Sequence, residues 1–258
     1  RFLVGALLGN WRVLAPDLRG HGHSQWMRQG YWIHEYVADL DAFLAQALGD
    51  RPVPVIGHSL GGNVAGLLAG LRPERISHLI SLDGFGPLVN RVPVDLVALL
   101  RQVLADRIRD RKPRTYRDIS EMSDRLQAAN PRLTPERARM LAADSSVACA
   151  DGLAWLYDPS LTASYSSLHQ LAQWQAIWRE IACPVLWIGS ADQRDHAPTD
   201  DPAEMERRMS AIAEVRYVRL PNTSHNMHHE EPERLAALCE EFLSGGQGPS
   251  RQLTGSGL

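Results

Sequence analysis

The six residues Gly57-His58-Ser59-Leu60-Gly61-Gly62 constrain this chain more than any other stretch. They stand between an apolar run, Val53 to Ile56, and a run of small and apolar residues from Asn63 to Leu71. The first run reads as a short buried strand. The second reads as a helix that Arg72-Pro73 ends. A serine between two glycines at a strand-to-helix junction fits a tight, strained turn, which side chains at Gly57 and Gly61 would obstruct. Such a turn lifts the Ser59 hydroxyl above a sheet edge. It also leaves the Leu60 N–H free at a helix N-terminus, aimed where an oxyanion would sit. A phosphate-cradling loop is disfavoured because no Gly-Lys-Ser/Thr follows. Gly20-His21-Gly22 falls short of a dinucleotide fingerprint, since position 25 is Gln25.

Strand and helix patterns alternate on both sides of this turn. Trp11 to Asp17 reads as a buried strand, and Leu18 to Ser24 as a turn-rich loop. From Tyr31 to Leu48, Ile33, Val37, Leu40, Phe43, Leu44 and Leu48 recur at helical spacing, and Gly49 stops the helix. Ile76 to Leu82 is a strand that runs into the loop Asp83-Gly-Phe-Gly-Pro87. From Pro93 to Glu180 only helical patterns are legible, among them a helix start with Thr134 as N-cap and Pro135 as first residue. Strands return at Pro184–Ile188 and Val215–Leu220, with helices at Pro202–Ala213 and Pro232–Phe242. This alternation predicts an α/β fold, a mostly parallel sheet with helices on both faces. The predicted organisation is a core of 1–87 and 181–243, a helical cap of 88–180 inserted before the acid-bearing strand, and a Gly/Ser/Gln-rich disordered tail at 244–258.

Composition narrows the functional classes. A chain of 258 residues buries a substantial core without staples, and 44% hydrophobic with 22% charged residues is ordinary for a globular enzyme. A net charge of −3 implies no basic face, so no nucleic-acid partner is expected. No apolar run approaches the roughly 18 residues of a membrane span. Cys149, Cys183 and Cys239 are far apart and form no CxxC, which argues against a disulfide framework or structural zinc and makes a reducing, cytoplasmic setting the default. Nothing in the sequence sets an oligomeric state.

A serine hydroxyl is a poor nucleophile near neutral pH and needs a base, which in turn needs an orienting acid. His225 follows the strand Val215–Leu220 and a short loop, so it stands at a strand's carboxyl end where a base can reach Ser59. His228 and His229 lie nearer the last helix and read as structural or surface groups. For the acid, Asp192 ranks first because it directly follows the strand Pro184–Ile188 in Gly189-Ser-Ala-Asp192; Asp195 ranks second and Asp83 third. His58 and Leu60 flank the nucleophile and face the pocket floor or the core, which makes His58 a candidate substrate-binding residue. His21-x-His23 has no Asp-His two residues on, so no metal site is expected, and no cofactor is implied.

Taken together, these segments resemble an α/β-hydrolase from Arg1 to Phe242. Ala15 to Ser24 resembles the family's loop after its fourth strand, Gly57 to Gly62 its nucleophile elbow, and Arg72-Pro-Glu-Arg75 the exit of the following helix. His225-Asn-Met-His-His-Glu-Glu-Pro-Glu233 resembles its catalytic-histidine segment. The stretch from Ser59 to Pro87 is similar to capped bacterial hydrolases of the serine-hydrolase-like branch. The resemblance implies Ser59 as nucleophile, His225 as general base and then acid, Asp192 as orienting carboxylate and the Leu60 N–H as one oxyanion donor. Family members that use an Asp nucleophile are argued against by Ser59. Arg1-Phe-Leu-Val resembles the middle of the family's first helix, with no His-Gly loop before it. The resemblance therefore implies an N-terminally truncated chain, lacking one oxyanion donor and a central strand beside the nucleophile strand.

The leading expectation is a serine hydrolase that cleaves an ester or related acyl bond of a small-molecule substrate. Carbon–carbon bond hydrolysis and cofactor-free perhydrolysis use the same triad, and a non-catalytic ligand-binding homologue keeps the same fold. Trp155, Trp174, Trp178 and Tyr165 lie at helical spacing, which favours core over pocket lining.

Overall fold

A computed structural model of the chain describes residues 1–27, 31–87, 95–107, 111–162, 170–192 and 201–245. In chain order its elements begin with α1 (Phe2–Leu7), α2 (Ile33–Leu48), β1 (Val53–His58), α3 (Leu60–Leu71), β2 (Ile76–Leu82) and α4 (Leu96–Arg107). They continue with β3 (Thr115–Tyr116), α5 (Ile119–Ala129), α6 (Pro135–Asp144), β4 (Ser146–Cys149) and β5 (Gly152–Trp155). The last are α7 (Leu171–Trp178), β6 (Val185–Asp192), α8 (Pro202–Met209), β7 (Val215–Ser224), α9 (Met227–Glu230) and α10 (Pro232–Leu243). No described helix is long and apolar enough to cross a membrane. The chain forms two compact units, one of 1–9, 33–91 and 167–258, the other of 10–32 and 92–166.

In the first unit β1, β2, β6 and β7 lie in that spatial order, all parallel. Register puts the carboxyl ends of β1 and β2 level, His58 beside Leu82, while Leu82 stands beside Ile188, within β6 and short of its end at Asp192. Residues 59 and 83 therefore leave the sheet side by side, and β7 delivers Ser224 next to Asp192. Leu79, Ile80, Leu82, Leu186, Trp187 and Ile188 are almost wholly buried, as expected of a sheet covered on both faces. α3 is buried from Val64 to Gly70. Its small residues admit close neighbours: a Cβ at Gly70 would lie 2.1 Å from the Ile177 carbonyl of α7. Trp174 and Trp178 of α7 are 2% exposed, and Trp178 packs edge-on against Trp187, 5.3 Å between ring centres. Both are core, as their spacing indicates; Tyr165 and the tail beyond residue 245 lie outside the described residues.

Two sequence expectations fail here. Trp11–Asp17 is not a strand. A strand exists through its neighbour's ladder, and none of the described strands pairs with this stretch. Instead the segment that follows it joins the second unit: Gly22 N–H donates to the Leu156 carbonyl at 2.8 Å, and Tyr31 donates to the buried Asp158. The region 93–180 is also not purely helical. β3, β5 and β4 form a three-stranded antiparallel sheet with a two-residue turn at Ala150-Asp151 closed by Gly152, whose φ is +128°. Strands of two to four residues are too short to show a period, though Asp151-Gly152 is itself a hairpin signal. Trp155, half-buried, donates through Nε1 to the Tyr116 hydroxyl at 3.0 Å. The helix start at 134 is as expected, with the Thr134 hydroxyl accepting from Arg137 N–H and Pro135 in the first turn.

Candidate active site

Ser59 sits on the turn between β1 and α3 with φ 52° and ψ −112°, a conformation costly for any residue but glycine. Its surroundings enforce the strain. Ser59 N–H donates to the Leu82 carbonyl at 2.7 Å, and its own carbonyl accepts from Asn63 N–H at 3.0 Å. A Cβ at Gly57 would lie 2.4 Å from the Gly61 carbonyl carbon, and one at Gly62 would lie 2.3 Å from Ser81 Oγ. A Cβ at Gly61 would meet nothing within 4 Å. The sequence pattern singled out Gly57 and Gly61; the turn in fact needs Gly57 and Gly62. Leu60 follows as the first residue of α3, so its N–H lies at the helix start.

Three groups from three strand ends converge on this turn. His225 Nε2 lies 3.0 Å from Ser59 Oγ. His225 Nδ1 lies 3.3 Å from Asp83 Oδ2. A carboxylate only accepts, so Nδ1 carries the proton and Nε2 is left to accept from the serine hydroxyl. The Asp83 side chain is 2% exposed and that of His225 is 51% exposed, so the carboxylate is buried while the imidazole is open to solvent.

Asp83 is held firmly. It takes φ +49°, and its N–H donates to the Ile188 carbonyl at 2.9 Å. Ser190, fully buried on β6, donates from its N–H to Oδ1 at 3.0 Å and from its hydroxyl to Oδ2 at 2.7 Å. The loop beyond is pinned as well. Ser81 Oγ donates to the Gly84 carbonyl, Gly86 N–H donates to Asn63 Oδ1 of α3, and the buried Arg208 donates to the Phe85 carbonyl while paired with Glu204. Asp192 ends β6 opposite Ser224, but its side chain and the whole of Asp195 lie outside the described residues. The carboxylate that meets His225 is thus the one the sequence ranked third.

The base loop has its own brace. Glu230, five residues past His225, accepts from Ser224 N–H at 2.8 Å and from the Ser224 hydroxyl. Sequence reasoning noted that glutamate only as part of a family segment. His58 Nε2 lies 2.7 Å from the His225 main-chain carbonyl, and its ring stands 4.2 Å from that of His228. Burial, helped by the neighbouring His225, lowers His58 to about 4, and burial also pushes His228 down.

Residues 2–232 of the chain, the strained strand-to-helix turn among them, match the family model of the alpha/beta hydrolase fold. The chain is an α/β hydrolase. A serine hydrolase-like protein of Danio rerio is 27% identical, the alignment covering 99% of this chain and 80% of that protein. A 3-hydroxybutyrate-oligomer hydrolase of Cupriavidus necator is 29% identical over 94% of this chain and 83% of its own. Among solved structures, the thioesterase domain of a curacin biosynthetic pathway superposes with a TM-score of 0.78 at 24% identity, over 91% of this hydrolase and 83% of that domain. That likeness speaks to the fold.

Proposed function

We propose that this hydrolase cleaves an ester or related acyl bond of a small molecule through an acyl-enzyme on Ser59. The observation that carries the reading is the relay of Ser59 Oγ to His225 Nε2 at 3.0 Å and His225 Nδ1 to Asp83 Oδ2 at 3.3 Å. His225 takes the hydroxyl proton as Ser59 attacks the carbonyl carbon, then returns it to the departing alcohol. In the second half-reaction His225 deprotonates water, which attacks the acyl-enzyme, and the proton goes back to Ser59. Asp83 keeps the imidazole in the required tautomer and offsets its charge. The Leu60 N–H at the start of α3 serves the oxyanion.

Intact-mass detection of labelling by a fluorophosphonate tests the reading. A single adduct that vanishes in Ser59→Ala is expected, together with loss of turnover on p-nitrophenyl esters. Ester turnover retained by Ser59→Ala overturns it.

A further inference from the structure

The imidazole of His58 reaches the main chain of the histidine loop. Its Nε2 meets the His225 carbonyl at 2.7 Å. A carbonyl oxygen only accepts, so Nε2 carries the hydrogen and His58 is the donor. The donor belongs to the residue covalently joined to Ser59, and the acceptor belongs to the residue whose ring faces Ser59. One hydrogen bond therefore ties the nucleophile's own peptide to the backbone of its base, closing a ring through the Ser59 Oγ–His225 Nε2 contact. The His58 ring packs against that of His228, 4.2 Å away between ring centres, and His228 packs at a tilt against His229 at 3.9 Å. The His225 ring lies 4.7 Å from that of His58. Packed against both rings, the His58 imidazole has little freedom to turn its Nε2 elsewhere.

We infer that His58 is a positioning residue for the base: its Nε2–H bond to the His225 carbonyl sets the reach of His225 to Ser59. This rests on the reading of Ser59 and His225 as nucleophile and base. It gives His58 a part other than the substrate-binding one expected from sequence, because its Nε2 is engaged with main chain. The depressed basicity of the buried ring fits the task, since a neutral His58 places no charge beside the imidazolium that forms on His225. His225 itself is half exposed on a loop, so its placement needs support from below. Misplacing a reacting group by about 1 Å costs on the order of 10² in rate.

Amide substitutions separate hydrogen bonding from bulk. A glutamine amide nitrogen reaches about as far as histidine Nε2, whereas that of asparagine stops near Nδ1. The rate of fluorophosphonate labelling, per molecule shown folded by thermal melting, is measured for wild type, Ser59→Ala, His58→Gln, His58→Asn and His58→Leu. Expected are labelling about 10²-fold slower in His58→Leu and His58→Asn and a return to within a few-fold of wild type in His58→Gln. If His58→Leu or His58→Asn labels at the wild-type rate, or His58→Gln is as slow as both, the positioning role is overturned and His58 is packing alone. If wild type takes no label, or Ser59→Ala takes as much, the failure lies with the serine reading itself.

Discussion

At the residue scale, the choice of acid is the sharpest outcome. Loop aspartates are common, and Asp192 led on sequence because it directly follows a strand. What sequence could not show is register: Leu82 stands beside Ile188, so Asp83, just past β2, leaves the sheet beside the part of β6 that carries Ser190. Asp83 then gathers two donors from Ser190 and one from His225. That Ser59 and His225 come together, by contrast, was legible, the first from its glycines and the second from its place after the last strand. The acid assignment yields a paired prediction. Asp83→Asn leaves a neutral amide against Nδ1 and permits the wrong tautomer, so kcat/KM for a p-nitrophenyl ester falls by about 10³–10⁴. Asp192→Asn stays within about tenfold of wild type. Steady-state kinetics on the two variants decides, and a reversed order returns the role to Asp192.

At the element scale, strands and helices flanked by clear stops were readable, and short or unpartnered ones were not. Ile76–Leu82 and the helix start at Thr134 appear where their patterns put them. β1 and β7 run past their apolar stretches, to His58 and Ser224, because ladder bonds to β2 and β6 continue there whatever the side chains are. The three-stranded sheet of the second unit was missed because its strands are shorter than any period. The turn at Ser59 shows how far a motif alone carries. The pattern names two glycines, and space decides between them. Gly57→Ala must push a methyl into the Gly61 peptide at 2.4 Å, backbone against backbone, and is expected to cost about 3 kcal/mol and most labelling of Ser59. Gly61→Ala meets nothing, has ordinary φ and lies in the first turn of α3, so it is expected to be neutral or to stabilise by about 0.5–1 kcal/mol. Urea melts of the two variants measure the contrast; equal losses would show that the glycines act through flexibility and not through space.

At the scale of the whole molecule, buried imidazoles link stability to pH. His58 lies at about 4 in the fold, lowered by burial and then by the His225 imidazole; its bond to the His225 carbonyl and then Asp83 oppose the shift, and His229 adds to it. His228 is lowered by burial and by His58 and His229. Both are neutral in the native chain at neutral pH. In the unfolded chain each regains an ordinary value near 6.5 and binds a proton below it. The unfolded state therefore holds more protons under pH 6.5, and stability rises with pH in that window. Read downward, the His58 share is present above about 6.5 and lost as pH falls toward about 4, at a limiting rate of about 1.4 kcal/mol per pH unit. Over the window that amounts to about 3 kcal/mol, and His228, lowered as well, adds a loss of the same sign. Carboxylates titrate in the same range, so total acid sensitivity does not isolate the effect. His58→Gln does, because the amide keeps the bond to the His225 carbonyl and has no proton to gain. The difference in unfolding free energy between wild type and His58→Gln, taken by urea titration at pH 7.5, 6.5, 5.5 and 4.5, is expected to stay flat above 6.5. Below it, the difference should shift in favour of the variant by about 1.4 kcal/mol for each unit, reached over the lower part of the range. A difference that is constant from pH 7.5 to 4.5 would mean that His58 binds its proton as readily folded as unfolded, and that the imidazole is not held neutral beneath the base.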